Sequence, residues 1–230
     1  MSRGHVVALS SALAMVLAAG CGSSSHGNGV AGKPAPQILA AAQAAAEKAT
    51  SAHVVGSIET AGSAESFDVE LLASTGARGR VSLGGASFDL IDTGATVYVR
   101  GSAAFYRRVG GALAAKLLNG KWLKAPTSDP KFAALKRLTD LHRLIASVLA
   151  GHGGLTKGAS ATVAGRPAIA VNDAAKGETV YVATTGQPYP LQITKQGSGG
   201  GKIVFDRWNA PVTLTAPAPA IDIAALQAHG

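Results

Sequence analysis

From His53 onward the spacing of apolar residues in this chain changes from four to two, and glycine punctuates the new rhythm. Val54–Ile58, Phe67–Leu71, Arg80–Leu83, Phe88–Ile91 and Thr96–Val99 alternate or cluster β-branched residues, with Gly62, Gly76, Gly84–Gly85 and Gly94 between them. Successive side chains of a strand point to opposite faces, so short segments of this kind bury one face by lying side by side. The spacing predicts an antiparallel meander. A second series follows late in the chain: Ala161–Val163, Ala168–Val171, Thr179–Val182, Leu191–Lys195 and Lys202–Phe205. Its turns fall at Gly165, Lys176–Gly177, Gly186 and between Gly197 and Gly201.

Between the two series the spacing is helical. Phe105, Val109, Leu113 and Leu117 recur every four residues and stop at Asn119–Gly120. Asp129–Pro130 then offers a cap and a first-turn proline for a second helix. Its face is Phe132, Leu135, Leu138, Leu141, Ile145 and Val148, ended by Gly151. Ahead of the strands, Pro36 opens a helix that runs through Ile38, Leu39, Ala42, Ala46 and Ala49 to about Ser51. Helix, five strands, two helices and about five more strands make an α+β chain. The expected architecture is a large curved antiparallel sheet with helices gathered on one face.

The first 21 residues belong to a different economy. Arg3 begins them, an apolar stretch from Val6 to Ala18 follows, and Ala18-Ala19-Gly20 leads into Cys21, the one cysteine of the chain. That layout is a secretory signal with a small-residue cleavage site. A cysteine directly after the cleavage point resembles the bacterial lipobox, with Ala18 where its leucine usually stands. The resemblance implies acylation of Cys21 and attachment to the extracytoplasmic face of the cell membrane. An unpaired thiol in an oxidising compartment is otherwise an oddity. Residues 1–20 are thus expected to be removed, residues 21–35 to be a lipidated cysteine with a flexible tether, and residues 36–230 to be one domain. From Gly22 to Pro34 the chain is rich in glycine and serine, with an r.m.s. span on the order of 20 Å. No later apolar run reaches the roughly 18 residues a membrane span needs.

Charge is unevenly placed. Residues 107–143 hold nine basic residues against Asp129 and Asp140, whereas the rest of the mature chain is balanced. Arg107, Arg108, Lys121, Lys124, Lys136 and Arg137 are therefore candidates to face phosphate head groups or an anionic membrane surface. Nucleic acid fits poorly, because the chain is exported and aromatic residues do not interleave with these cations.

Three blocks carry a family resemblance: Thr96-Val97-Tyr98-Val99-Arg100-Gly101-Ser102-Ala103-Ala104-Phe105-Tyr106, Gly120-Lys121-Trp122-Leu123-Lys124-Ala125-Pro126 and Asp129-Pro130-Lys131-Phe132. They are similar to actinobacterial lipoproteins of the LppX/LprG type, over roughly residues 36–216. That resemblance implies the half-open β-barrel of LolA-like carriers, with helices on the concave face and an apolar cavity for acyl chains between them. It implies a lipid or glycolipid ligand, no cofactor and no catalytic step. Phe105, Val109, Leu113, Leu117, Phe132, Leu135, Leu138, Leu141 and Ile145 are the expected lining. In the competing arrangement both helices pack as an ordinary core and no cavity remains.

Other motifs lead less far. Leu90-Ile91-Asp92-Thr93-Gly94-Ala95 is the string of retroviral-type aspartic proteases, but that chemistry needs two carboxylates sharing a proton and the chain has no second Asp-Thr-Gly. Gln196 and Ile203 stand where a phosphate loop needs glycine and Ser/Thr. No Gly-x-Ser-x-Gly occurs, and the histidine spacing makes no metal site. The sequence thus reads as a membrane-anchored lipid-binding or lipid-carrying lipoprotein. A surface-displayed interaction module without lipid cargo is the alternative, and a protease using Asp92 a remote one. It names neither the lipid nor an envelope transport partner.

Overall fold

The computed structural model describes residues 27–60, 62–73, 76–129, 139–151, 153–197 and 199–228. Cys21, Phe132, Leu135, Leu138, Lys136 and Arg137 lie outside them. The first strand series forms β1 (Ser51–Thr60), β2 (Ser63–Leu72), β3 (Ala77–Leu83), β4 (Ala86–Asp92) and β5 (Thr96–Gly101). The second forms β7 (Leu155–Val163), β8 (Arg166–Asp173), β9 (Glu178–Ala183), β10 (Pro190–Lys195) and β11 (Gly201–Asp206). Two short strands were not foreseen: β6 (Trp122–Pro126) and β12 (Ala220–Asp222).

All twelve make one open, curved sheet in the order β12-β6-β5-β4-β3-β2-β1-β11-β10-β9-β8-β7. Each series is a meander, and the two meanders meet where β1 pairs with β11, Val54 opposite Phe205. The expected large antiparallel sheet is present, with one short parallel ladder added at its edge between β12 and β6. Tight hairpins set the register. Gly84 and Gly85, both at positive φ, turn β3 into β4 with Leu83 opposite Ala86. A two-residue loop of this kind matches the right-handed twist of the strands.

Helix α1 (Ala35–Glu47) lies over β7–β10. Ile38, Ala42 and Ala46 are fully buried, and the alanines let the helix approach the sheet closely. It ends short of the expected Ser51 because that residue already belongs to β1, where its hydroxyl donates to Ala210 O at 2.6 Å. Helix α3 (Leu141–Val148) packs against α1, so these two define the inner face of the sheet. The expected helix from Asp129–Pro130 to Gly151 is broken: Thr139 is buried outside any helix, and Asp140 caps α3 by accepting from Arg143 N at 3.0 Å. Helix α2 (Ala103–Leu118) stands on another part of the same face, where Phe105 packs on Phe88, the residue opposite Val81 in the β3–β4 ladder. It touches the sheet through β4 and β5.

The tether expectation also needs correction. From Gly27 the chain is already fixed: Gly27 bridges to Thr185, and Asn28 Nδ2 donates to Ala183 O and Gly186 O, both at 3.0 Å. Val30 is then buried in the main core. At the other terminus the chain leaves β11, crosses the end of the sheet where Arg78 donates to Thr213 O, and enters β12 and a short α4 (Ile223–Ala228). Among the described residues no helix is long and apolar enough to cross a membrane.

Candidate functional site

Period-two alternation puts Phe67, Val69, Val81, Leu83 and Leu90 on the inner face of β2, β3 and β4. Ile58 and Ile203 join them from β1 and β11. Above these residues stands α3. Its side chains divide into two stripes: Leu141, Ile145 and, just past its end, Leu149 fill the core, whereas Leu144 and Val148 face a gap. That gap is an apolar cleft of about 180 Å³, in which Glu65 is the one ionisable lining residue. Ile58, Val148 and Ile203 also line an adjoining pocket of about 290 Å³ that opens beside Lys176, Glu178 and Lys195. Lys195 and Glu178 pair there at 3.8 Å, and Lys176 donates to Ala150 O. The arrangement is a greasy floor and roof with a charged rim, which suits an acyl chain whose polar end stays outside.

The cavity residues expected on the helices are only partly there. Leu141 and Ile145 are fully buried in the core and do not line the cleft. Phe105 packs on Phe88 with ring centroids 5.0 Å apart, on the same inner face but outside the cleft lining. Val109, Leu113 and Leu117 are 64%, 68% and 52% exposed and point to solvent, contrary to the expected lining. The reason is how α2 is held. Ser102 Oγ accepts from Phe105 N, and Tyr106 is buried with its hydroxyl donating to Lys121 O at 2.9 Å and accepting from Gly101 N at 3.1 Å. Burial pushes the Tyr106 hydroxyl above its usual pKa, opposed by the backbone bond from Gly101. Beyond this anchor Gly111 leaves helical geometry (φ 77°, ψ −172°), so a four-residue spacing no longer describes one continuous face.

The described basic candidates, Arg107, Arg108, Lys121 and Lys124, gather around α2 and β6 and do not line the cleft. Arg107 and Lys121 are exposed. Arg108 donates to Leu83 O at 2.9 Å and Gly84 O at 2.8 Å, clamping α2 to the β3–β4 hairpin. Lys124 lies 3.7 Å from Asp222. Asp92 is 5% exposed, with its carboxylate accepting from Gly94 N at 2.8 Å and the Thr139 hydroxyl at 2.9 Å. It holds a turn and the entry to α3. Among the described residues no cluster of His, Cys, Asp and Glu could hold a metal ion.

The outer face of the sheet carries a polar ladder that sequence reading missed. His53 sits between Asp206 and Asp68 at 2.6 and 2.8 Å. Glu70 lies between Arg78 and Arg207, and Asp89 between Arg80 and Arg100, at 2.7 and 2.8 Å for the latter. The Arg78 hydrogen bond holds the Glu70 carboxyl below its usual pKa against the effect of burial, and the Arg207 charge adds to it. Burial pushes Asp89 up, but the bonds from Arg80 and Arg100 outweigh it and leave the group lowered. Arg100 also lies 4.8 Å above the Trp122 ring. The signal was present as Asp68-x-Glu70 and Arg78-x-Arg80 within strands, where alternate positions share a face.

With this geometry in place, comparison with solved structures is informative. LprF from Mycobacterium bovis superimposes with a TM-score of 0.57 at 17% identity, over 80% of this chain and 97% of that one. The chain shares the LprF fold. The lipoprotein LppX from Mycobacterium tuberculosis gives 0.49 at 18% identity, over 78% and 99%. No protein-family model matches the sequence, and no curated protein is detectably similar to it in sequence.

Proposed function

We propose that this protein is a lipoprotein, anchored through Cys21 on the extracytoplasmic face of the membrane, that binds or carries a lipid or glycolipid by one acyl chain. The observation that carries this reading is the cleft between α3 and the inner face of β1–β4 and β11. Its walls are aliphatic and aromatic, its rim is charged, and among the described residues no core side chain fills it. The cleft and its adjoining pocket together reach the lower end of the range for small-ligand sites, about 300–1,000 Å³. The LprF fold supports the reading, as does the sequence resemblance to lipoprotein carriers.

Native mass spectrometry of the protein purified from its own host tests the cargo. The wild type should carry a bound lipid beyond the anchor, and Leu144→Trp or Val148→Trp should reduce that load several-fold while the fold persists. An empty wild type, or an unchanged load in two folded variants, overturns the proposal in favour of a display module. In the same preparations Cys21→Ala should lose the anchor mass and leave the membrane fraction; retained acylation would overturn the anchor.

A further inference from the structure

Residues 93–128 contain no Asp or Glu and six basic residues. Among the described residues the exposed large hydrophobic side chains are Val109, Leu113 and Leu117, all on α2 within that segment. Arg107, Lys116 and Lys121 are exposed around them and, among the described residues, make no ion pair. Isolated apolar side chains on a surface need no explanation, but three on one helix ringed by unpaired cations do.

We infer that α2 is a second membrane contact: it lies in the head-group layer of an anionic bilayer, with Leu113 and Leu117, one turn apart beyond the Gly111 break, and Val109 ahead of that break among the acyl chains, and the cations against phosphate. Charge selects this occupant. Two copies of the protein meeting through α2 would bring like charges together, whereas an anionic surface neutralises them. The helix is built for the contact, because Tyr106 and the Arg108 clamp secure its base and leave Val109, Leu113 and Leu117 exposed. Leu83, which lines the cleft and whose carbonyl holds Arg108, joins the docking helix to the cleft. The proposal rests on the membrane location argued above but not on any cargo.

The test uses the mature chain with Cys21→Ser, which has no acyl anchor and no thiol. Adding Leu113→Cys gives one site for an environment-sensitive nitrobenzoxadiazole label. Vesicles containing phosphatidylglycerol should shift and brighten its emission, and pure phosphatidylcholine vesicles should do so far less. Sedimentation with the anionic vesicles should weaken from 0.1 M to 1 M salt, as the Debye length falls from about 10 Å to about 3 Å. The triple variant Val109→Gln, Leu113→Gln, Leu117→Gln should bind at least about tenfold more weakly, in line with the apolar area withheld from lipid. Its melting temperature should not change; a folding defect there leaves the single-site label as the deciding readout. Leu144→Trp should bind vesicles normally, which separates failure of this proposal from failure of the cleft. A label indifferent to anionic vesicles overturns the inference. So does binding that survives the triple change, or a concentration-dependent dimer that the triple change dissolves.

Discussion

Helices α2 and α3 come from the same stretch of chain and show the same four-residue spacing of large apolar side chains, yet they end in opposite surroundings. In α3, Leu141 and Ile145 are fully buried against α1 and the sheet, and Leu144 and Val148 roof the cleft. In α2, Val109, Leu113 and Leu117 stand in solvent. Periodicity reports that a helix has an apolar side; it carries no information about what covers it. Here the covering is decided at the base of each helix. Asp140 caps α3 over the core beside α1, while Ser102 and Tyr106 hold only the base of α2 against β4 and β5, and the turns around and beyond Gly111 project past that anchor.

The sharpest way to break this contrast is truncation. Leu141→Ala should cost about 2–5 kcal/mol of stability in urea, because it opens a cavity in a packed core. A smaller loss is expected from Tyr106→Phe, about 1–3 kcal/mol, since it leaves Lys121 O and Gly101 N without their buried partner. That variant should also expose the labelled α2 to faster proteolysis at Gly110–Gly111, well before the core opens. At the bottom of the scale, Leu113→Ala should move stability by no more than about 0.5 kcal/mol, the usual range for a surface substitution. If Leu113→Ala proves as damaging as Leu141→Ala, the two helices are alike after all and α2 is buried in solution.

Much of the fold was legible in the sequence because its signals are local. Glycine at each turn and strict alternation located ten strands, and Ile38, Leu39, Ala42 and Ala46 marked α1. What was not legible depends on distant partners. The pairing of β1 with β11 joins residues some 150 positions apart, His53 opposite Asp206, and no pattern within either strand specifies it. Strand β6, Trp122–Pro126, is five residues with two lysines nearby, and it becomes a strand by lying on β5. The cleft was sought on the helices, while most of its wall comes from strands whose inward positions, Phe67, Val69, Val81 and Leu83, were already visible as alternation. Asn28 and Val30 were hidden in a glycine-rich context that promised slack.

That lost slack bears on the mechanics of the proposed anchoring. Between Cys21 and the docked Gly27 only five residues remain, a reach of at most roughly 20 Å when drawn out. The docking point, beside β9, and α2, beside β4 and β5, lie on opposite halves of the sheet, up to roughly 30 Å apart measured across its strands. A body held near a surface at one point can swing through a hemisphere. Held at two points that far apart, it keeps a single axis of roll, along the line between them. Under the two proposed contacts the inner face would meet the bilayer by rocking about that axis, and the short leash would work as an axle bearing rather than a rope.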